Sequence, residues 1–343
     1  MKRPLLFALA LFPLTLPAQT SKPEVLKRVD DSKRTYEDIA LKDPGPGEVR
    51  LRHGAIGLNF IDTYFRTGLY PAPGGLPMVP GNEGAGTVTA VGPGVTEFKV
   101  GDRVAYGTST GSYSAERNIP AEKIVKLPDN IDFNAAAGMM LKGMTAQYLL
   151  KRTFKVQKGQ TVLVHAAAGG VGLILCQWAN HLGATVIGTV GSADKAKLAK
   201  DNGAHHTINY RDEDFAKRVG EITNGAKCEV VYDGVGKATF PASLDCLKPL
   251  GMFVSFGNAS GAIDAFNILI LQQKGSLFAT RPTLVHYGAK RDDMVAMAKD
   301  LMDVVGKGVV KIPVKQTYAL KEAAQAHRDL EARKTTGSTV LLP

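Results

Sequence analysis

Cysteine is scarce in this chain of 343 residues, and its scarcity argues against two kinds of architecture. The three cysteines, Cys176, Cys228 and Cys246, show no spacing typical of metal ligands. A disulfide framework and a structural zinc site are therefore disfavoured, and a reducing compartment is favoured. Cys176 falls in an apolar helical pattern, where we expect a small buried side chain.

Runs of like charge and long apolar runs are also missing. The formal net charge is +10, and because the basic residues are scattered, the surplus predicts solvated surface and suits an anionic ligand. No motif of nucleic-acid recognition accompanies the charge, which disfavours nucleic acid as a partner. No segment of the sequence is long and apolar enough to span a bilayer.

The N-terminus carries a separate signal. Lys2 and Arg3 precede an apolar stretch at residues 5–16, and residues 17–20 resemble a cleavage region. This order is typical of a signal peptide over residues 1–20, although the twin-arginine signature that exports folded proteins is absent. An apolar start region of another origin explains the same residues, so both interpretations stay open.

Residues 162–172 combine an apolar run, a turn of small residues and the start of an apolar helical pattern. The run ends at His165, and a second apolar strand follows at Thr185–Val190. This is the context of a dinucleotide fingerprint, in which small residues admit a pyrophosphate and the N–H groups of the first helical turn bind it. The residues expected to do so are Ala168, Gly169, Gly170, Val171 and Gly172. The competing interpretation is a tight strand–helix turn that binds no ligand.

Two patterns of secondary structure divide the chain. Short strands separated by glycine and proline turns lie between residues 48 and 119 and predict a compact β-rich unit. From residue 135 onward strands and helices alternate, which predicts an α/β fold with a doubly wound parallel sheet. A helix at Arg291–Gly306 and a strand at Ser338–Leu342 are expected near the C-terminus.

Six segments together resemble the zinc-free quinone oxidoreductases of the medium-chain dehydrogenase/reductase superfamily. They are Gly57–Tyr64, Gly81–Gly86, Gly101–Val104, His165–Gly172, Val254–Asn258 and Thr280–Pro282. The resemblance covers residues 45–343 and implies a GroES-like β-rich catalytic domain, at residues 21–145 and 285–343. It places an inserted Rossmann domain at residues 146–284 and implies a homodimer joined through the Rossmann sheets. The first 45 residues depart from the family pattern.

The resemblance bears on metal chemistry. Zinc-dependent relatives carry Gly-His-Glu where this chain has Gly81, Asn82 and Glu83, and no cysteine precedes residue 176. Asn82 is a poor zinc ligand, so no metal is expected. Alcohol oxidation is then disfavoured, because no Lewis acid stabilises an alkoxide. A quinone or conjugated carbonyl instead delocalises the charge of an added hydride over its own π-system.

The expected cofactor is inferred from the lack of a carboxylate after the second Rossmann strand. NAD sites usually place a carboxylate there to hold the ribose hydroxyls, but Gly191 and Ser192 follow this strand. In the family, the residues that match Lys195 and Tyr210 contact the 2′-phosphate, which is a charge-assisted pairing. We therefore expect NADPH rather than NADH. The alternatives are a solvated lysine at 195 and a half-buried ring at 210.

The resemblance also implies the remaining site residues. Those expected to border the nicotinamide and the substrate are Asn59, Asp62, Tyr64 and Tyr70. Those expected at the cofactor are Lys142, Thr145, Phe256, Gly257, Asn258 and Arg333. No general acid is evident, which leaves water or Tyr64 as the proton donor. Orientation of two planar partners would then provide most of the rate.

Three functions remain open at this point. The first is reduction of a quinone by NADPH, and the second is reduction of α,β-unsaturated ketones or aldehydes, which uses the same motifs. The third belongs to another class, a non-catalytic stress protein that binds NADPH or RNA. Because a nicotinamide enzyme needs a supply of cofactor, we expect the cytoplasm, with export as the alternative if residues 1–18 act as a signal.

Overall fold

The computed structural model describes residues 20–21, 24–26 and 34–343, so residues 1–19 of the predicted signal peptide lie outside the described residues. Two small antiparallel pairs come first. Strand β1 (Thr20–Ser21) pairs with β4 (Ile39–Ala40), and β2 (Glu24–Leu26) pairs with β3 (Arg34–Tyr36).

The first large sheet combines strands from two distant parts of the chain. Its strands are β5 (Glu48–Leu58), β6 (Glu83–Val91), β7 (Arg103–Tyr106), β8 (Glu116–Pro120), β9 (Val125–Lys126), β16 (Val314–Ala319) and β17 (Ser338–Leu342). Their order is β16-β17-β5-β6-β7-β9, with β8 paired to β5. Strand β17 runs antiparallel to β5, with Thr339 opposite Leu58. The C-terminal part of the chain therefore completes a sheet that the N-terminal part begins.

Strand β5 shows why this sheet holds a core. In its first half Val49 and Leu51 are buried while Arg52 is exposed, the alternation of a half-buried strand. Its second half is buried on both faces because a helix lies against it. A Cβ placed on Gly57 would fall 2.1 Å from the carbonyl oxygen of Ala137, so only glycine allows this approach.

The second large sheet is parallel throughout, as the alternating pattern predicts. Its strands are β10 (Thr161–Val164), β11 (Thr185–Val190), β12 (His206–Asn209), β13 (Cys228–Asp233), β14 (Leu247–Ser255) and β15 (Phe278–Thr280). The order β12-β11-β10-β13-β14-β15 is the strand order of dinucleotide-binding folds. The predicted doubly wound α/β fold is confirmed.

Helices cover both sheets. They are α1 (Phe60–Thr67), α2 (Phe133–Tyr148), α3 (Gly170–His181), α4 (Ala193–Asp201), α5 (Phe215–Ile222), α6 (Ala242–Asp245), α7 (Leu269–Gln273), α8 (Leu284–Tyr287), α9 (Arg291–Gly306) and α10 (Ala323–Glu331). A π-helical turn at Leu149–Thr153 extends α2, and 3₁₀ turns lie at Ala121–Lys123 and Leu320–Glu322. Helix α6 has only four residues and begins directly after Pro241.

Helix α2 joins the two sheets into one core. Asp132 caps its N-terminus by accepting a hydrogen bond from the N–H of Ala135 at 2.8 Å. Met139, Met140 and Met144 on this helix are wholly buried. The helix packs on β5 and β6 of the first sheet and on α3 of the second, so it holds the two sheets at either side of a cleft.

Candidate active site

A cleft of about 1080 Å³ separates the two sheets. The residues that follow the carboxyl ends of all six parallel strands line one wall: His165, Gly191, Tyr210, Gly234, Phe256 and Arg281. The opposite wall is formed by residues between Leu58 and Tyr70, by the loop after β7 and by α2. The carboxyl edge of an open parallel sheet is where such folds bind their ligands.

Most of the predicted site residues line this cleft. They are Asn59, Tyr64, Tyr70, Lys142, Thr145, Ala168, Gly169, Gly170, Val171, Gly172, Gly191, Lys195, Tyr210, Phe256, Gly257 and Arg333. Asp62, Ser192 and Asn258 do not line it. Asp62 is fully buried behind the wall, Ser192 caps α4 by accepting from the N–H of Lys195 at 3.3 Å, and Asn258 holds two tyrosines that do line it.

The turn between β10 and α3 has the geometry of a phosphate-binding turn. A Cβ on Gly172 would lie 2.3 Å from the carbonyl oxygen of Ala166, so helix and strand pack closely there only because the side chain is absent. Gly169 precedes α3, whose first N–H groups have no partner within the helix. The N–H of Gly337, just before β17, donates to the carbonyl oxygen of Ala168 at 2.9 Å. The C-terminal return thus braces the turn.

Cationic side chains gather at the end of the cleft beyond this turn. The ammonium of Lys195 donates to the carbonyl oxygen of Arg333 at 2.6 Å, and the guanidinium of Arg333 donates to the hydroxyl of Tyr210 at 3.5 Å. Partial burial, and then the cations of Arg211 and Arg333, lower the pKa of Lys195. Such a cluster gains stability from a bound anion with several negative charges. We call Lys195, Tyr210, Arg211 and Arg333 the cationic pocket.

Arg211 belongs to none of the sequence motifs that indicate the site. It directly follows Tyr210 at the end of β12, and that position next to a predicted phosphate ligand was the available signal.

Glu83 organises the opposite end of the cleft, where the catalytic residues are expected. Its fully buried carboxylate accepts from the ammonium of Lys142 at 2.6 Å and from the side-chain amide of Asn59 at 2.8 Å. Its second oxygen accepts from the N–H of Leu141 at 2.8 Å. This role of Glu83 was not predicted from the sequence, although Glu83 stands beside Asn82 in one of the resemblance motifs. The carboxylate fixes two predicted site residues in the wall.

Asp62 acts from behind that wall rather than on it, which corrects the expectation that it borders the substrate. Its carboxylate accepts from the N–H of Asn59 at 2.9 Å, from the amide of Asn82 at 2.9 Å and from the hydroxyl of Tyr113 at 3.1 Å. Burial raises the pKa of Asp62 to about 6, against the opposing effect of these hydrogen bonds. As the third residue of α1, Asp62 closes the helix start and holds Asn59.

Tyr64 and Tyr70 form an aromatic corner at the same end. Their rings meet edge to face with centroids 5.2 Å apart. The hydroxyl of Tyr64 accepts from the N–H of Asn258 at 2.9 Å, while the amide oxygen of Asn258 accepts from Tyr70 at 3.2 Å and from Arg281 at 3.0 Å. Burial raises the pKa of Tyr64 to about 12, so the phenol keeps its proton at neutral pH. Arg281 lines the cleft as well, although the sequence indicated it only as part of the motif Thr280–Pro282.

Asn82, which stands where the sequence resemblance places a zinc-binding histidine in zinc-dependent relatives, is held by hydrogen bonds on both sides of its amide. The amide of Asn82 donates to Asp62, and its oxygen accepts from the hydroxyl of Thr110 at 3.0 Å. Among residues 34–343 no three His, Cys, Asp or Glu side chains are grouped as metal ligands would be. Within the same range, no helix is long and apolar enough to cross a membrane.

The fold and the cleft define a two-domain oxidoreductase that binds a dinucleotide between a β-rich domain and a Rossmann domain. Two family models match the chain, the alcohol dehydrogenase GroES-like domain over residues 45–158 and the zinc-binding dehydrogenase over residues 170–302. The chain belongs to the quinone oxidoreductase family of the medium-chain dehydrogenase/reductase superfamily. The resemblance seen in the sequence is thereby confirmed.

Individual relatives are similar over nearly the whole chain. A quinone oxidoreductase of Pseudomonas aeruginosa is 56% identical over 322 residues, which are 94% of this chain and 96% of the relative. A 2-haloacrylate reductase of a Burkholderia species is 51% identical over 315 residues, 90% of this chain and 94% of the relative. The crystal structure of an Escherichia coli quinone oxidoreductase complexed with NADPH is 47% identical, with a TM-score of 0.91, and covers 94% of this chain and 100% of that one.

Proposed function

We propose that this chain is an NADPH-dependent quinone reductase that works without zinc. The observation that carries the proposal is the cleft that joins the cationic pocket to the wall holding Asn59, Tyr64 and Lys142. The quinone oxidoreductases at 49–56% identity support the same activity.

The residues present fit the cofactor. The first turn of α3 would hold the pyrophosphate, and the cationic pocket would hold a 2′-phosphate, with Gly191 beside it. A Cβ on Gly191 would lie 2.6 Å from the hydroxyl oxygen of Tyr210, so glycine lets that ring close the pocket. When bound, NADPH supplies a hydride. The relative crystallised with NADPH supports this assignment.

The protein's own contribution is orientation and hydrogen bonding at the acceptor. Because the oxygen of Tyr64 already accepts from the N–H of Asn258, its own proton is left to donate to an acceptor oxygen in the cleft. Lys142 and Asn59 cannot swing away, since both are bound to Glu83. Apolar residues of the lining, such as Phe60, would exclude water around two planar partners.

A second candidate is reduction of α,β-unsaturated carbonyl compounds. One observation favours it: Arg281 stands at the cleft with its guanidinium on Tyr70 at 3.1 Å, where it can meet a carboxylate-bearing acceptor. The 2-haloacrylate reductase among the relatives supports this candidate. Membership of an enzyme family weighs against the non-catalytic alternative, as does the complete set of Asn59, Asp62 and Tyr64.

A steady-state panel tests the proposal. Purified protein is given NADPH or NADH with 1,4-benzoquinone, phenanthrenequinone, enones and 2-haloacrylate, and nicotinamide oxidation is followed by absorbance. We expect turnover of the quinones with NADPH and slower turnover with NADH. Turnover of enones or haloacrylate with both quinones untouched would overturn the quinone proposal and leave the second candidate.

We further propose a homodimer joined through the Rossmann sheets. Strand β15 ends the parallel sheet, and Phe278 on this strand and Leu269 on the neighbouring α7 are more than half exposed. An apolar edge of this kind favours pairing with a second copy. Light scattering of the purified protein should give twice the chain mass, and Phe278→Lys should lower it. A monomeric mass for the unchanged chain would contradict the dimer.

The domain limits at residues 145 and 284 are likewise a proposal. Helix α2 spans the first limit, and α8 begins at the second. A separately expressed Rossmann segment, residues 146–284, should give a cooperative unfolding transition, whereas an unfolded segment would argue for later or earlier limits.

We propose the cytoplasm as the location, because the cofactor is supplied there. None of the relatives compared adds support for export. Intact mass of the mature chain, together with fractionation of expressing cells, tests this. Loss of residues 1–18 and recovery outside the cytoplasm would contradict it.

A further inference from the structure

A line of buried polar side chains leads from the C-terminal return to the back of the catalytic wall. It consists of Arg66, His327, Tyr113 and Asp62, each at most 5% exposed, and we call it the His327 relay. His327 lies on α10, Arg66 and Asp62 lie on α1, and Tyr113 lies in the segment before β8. None of the four lines the cleft. Buried polar groups in such a line specify geometry strongly when all are hydrogen-bonded.

The chemistry of the four groups gives the relay one direction. A guanidinium can only donate, so Nδ1 of His327, which lies 3.1 Å from Arg66, must accept. The other ring nitrogen of His327, Nε2, therefore carries the hydrogen and donates to the hydroxyl oxygen of Tyr113 at 2.9 Å. The hydroxyl of Tyr113 in turn donates to the carboxylate of Asp62 at 3.1 Å. Each of the three hydrogen bonds along the line is therefore donated in the direction of Asp62.

Asp62 passes this constraint to the cleft. The same carboxylate oxygen that accepts from Tyr113 also accepts from the N–H of Asn59, at the start of α1. Asn59 lines the cleft, and Tyr64 lies two residues after Asp62 on the same helix. A rotation of the carboxylate would therefore release the N-terminal turn of α1, on which both cleft residues depend.

The far end of the relay is anchored on α10. The guanidinium of Arg66 also donates to the carboxylate of Glu331, the last residue of α10, at 2.5 Å. Arg333 of the cationic pocket follows two residues later. Helix α10 is thus bound to the start of the catalytic wall by one face and leads directly into the phosphate end of the cleft.

We propose that His327 and Tyr113 are positioning residues for the reaction. They fix Asp62, and through it Asn59 and the first turn of α1, in the arrangement that the reacting partners require. Neither residue touches a substrate or the cofactor. The inference rests on the proposed function for its kinetic part and on the geometry alone for its structural part.

The molecule contains a matched control for this relay. His53 is also a buried histidine whose ring is hydrogen-bonded to a tyrosine hydroxyl, that of Tyr106, at 2.8 Å, and to a carbonyl oxygen, that of Ser114, at 2.7 Å. Both residues lie in the same β-rich domain, and neither lines the cleft. The loss of a buried histidine–tyrosine contact can therefore be compared at two places, only one of which leads to Asp62.

The experiment compares Tyr113→Phe, His327→Leu and His327→Gln with the control variants Tyr106→Phe and His53→Leu. For each, kcat, the KM of NADPH and of a quinone, and the melting temperature are measured. Loss of a hydrogen bond to a charged group predicts a fall in kcat of about tenfold for Tyr113→Phe and His327→Leu, with the KM of NADPH unchanged. His327→Gln retains an acceptor and a donor and should recover most of kcat. The double variant Tyr113→Phe/His327→Leu should lose much less than the product of the two effects, because both act through Asp62.

A second readout does not depend on turnover. Hydrogen exchange followed by mass spectrometry should show faster exchange in residues 57–70 for Tyr113→Phe and His327→Leu and no change there for the two controls. If kcat and this exchange change equally in relay and control variants, His327 and Tyr113 are merely structural and the inference is wrong. If the unchanged chain reduces no quinone while the exchange pattern appears as expected, the proposed function fails and the positioning role stands.

Discussion

The two ends of the cleft hold their charges in opposite ways. At the catalytic end the carboxylates of Glu83 and Asp62 are fully buried. Side chains of the protein, those of Asn59, Asn82 and Lys142, donate hydrogen bonds to them. At the phosphate end the cations of the cationic pocket stand close together, and Tyr210 is 37% exposed.

The two ends therefore differ in what a ligand would change: the geometry of the catalytic end is already fixed, whereas the charge of the phosphate end is not yet balanced. The catalytic end is complete without a ligand, because buried charges must be paired when the protein folds. The phosphate end is left with repulsion between like charges, which an anionic ligand relieves. We therefore expect the first end to fix the position of a ligand and the second end to select which ligand is bound.

The largest expected effect breaks the catalytic end. Lys142→Met leaves the carboxylate of Glu83 buried without its cation, and removing one partner of a buried pair costs about 3–5 kcal/mol of unfolding free energy. The measurement is urea unfolding, with Glu83→Gln/Lys142→Met expected to recover much of the loss. Lys197→Met, which breaks a solvent-exposed pair with Asp201, is the control and should cost much less. Equal losses of unfolding free energy in the two single variants would show that the buried pair contributes no more to stability than the exposed one.

The next effect concerns pH at the same end. Burial raises the pKa of Asp62 from 3.8 to about 6, so between these values the folded protein binds the proton more tightly than the unfolded chain. The contribution of Asp62 to stability is thus present below pH 4 and is lost as pH rises through 6, by about 3 kcal/mol. Asp62→Asn removes this dependence. Urea unfolding of both proteins from pH 4 to 7.5 checks it, and parallel curves would contradict the raised pKa.

A smaller effect tests the phosphate end. Lys195→Ala removes one charged donor from the cationic pocket and should lower the preference for NADPH over NADH, measured as the ratio of kcat/KM values, by about tenfold. The melting temperature should hardly change, because we expect a bound anion, rather than a carboxylate of the protein, to pair with the charges of the cationic pocket. Lys197→Ala on the same helix, bound to Asp201, is the matched control and should keep the ratio. An unchanged ratio in Lys195→Ala would remove this residue from the recognition of the phosphate.

The smallest expected effect concerns Tyr64, whose removal should leave the alkaline titration of the protein unchanged. Because burial raises the pKa of Tyr64 to about 12, its phenol should remain protonated through the alkaline range in which an exposed tyrosine titrates. Ultraviolet titration of the unchanged chain and of Tyr64→Phe should therefore coincide up to about pH 11. A difference that appears near pH 10 would mean that Tyr64 lies in a more solvated site than the structure shows.

The strand, turn and helix of residues 161–181 could be predicted from the sequence because these parts are contiguous, while the phosphate bound at the turn stays a prediction. Strand, small residues and helix follow one another, and Lys195 lies only a few residues after a strand. The roles of Glu83 and His327 could not be predicted in the same way. Glu83 meets Lys142 from 59 residues away, and Tyr113 meets His327 from 214 residues away, so no local pattern records either contact.

Asp62 shows a different limit of prediction. Its place in a motif beside Asn59 and Tyr64 predicted a segment at the cleft, and Asn59 and Tyr64 do line it, but the motif does not say which side chains face the cleft. That depends on the rotation of α1 against Tyr113 and Asn82, which come from other parts of the chain. Motifs therefore locate the wall of the site, while tertiary packing decides which residue lies on it and which lies behind.

The return of the chain to the first sheet has a consequence for biosynthesis. Arg333, the N–H of Gly337 and strand β17 are translated after every other part of the cleft, yet they complete the cationic pocket, brace the turn at Ala168 and pair with β5. A nascent chain that has reached residue 330 therefore contains the Rossmann strands but no finished cofactor pocket. Cofactor binding and closure of the first sheet therefore become available together, once the residues from Arg333 to the end of β17 have been added.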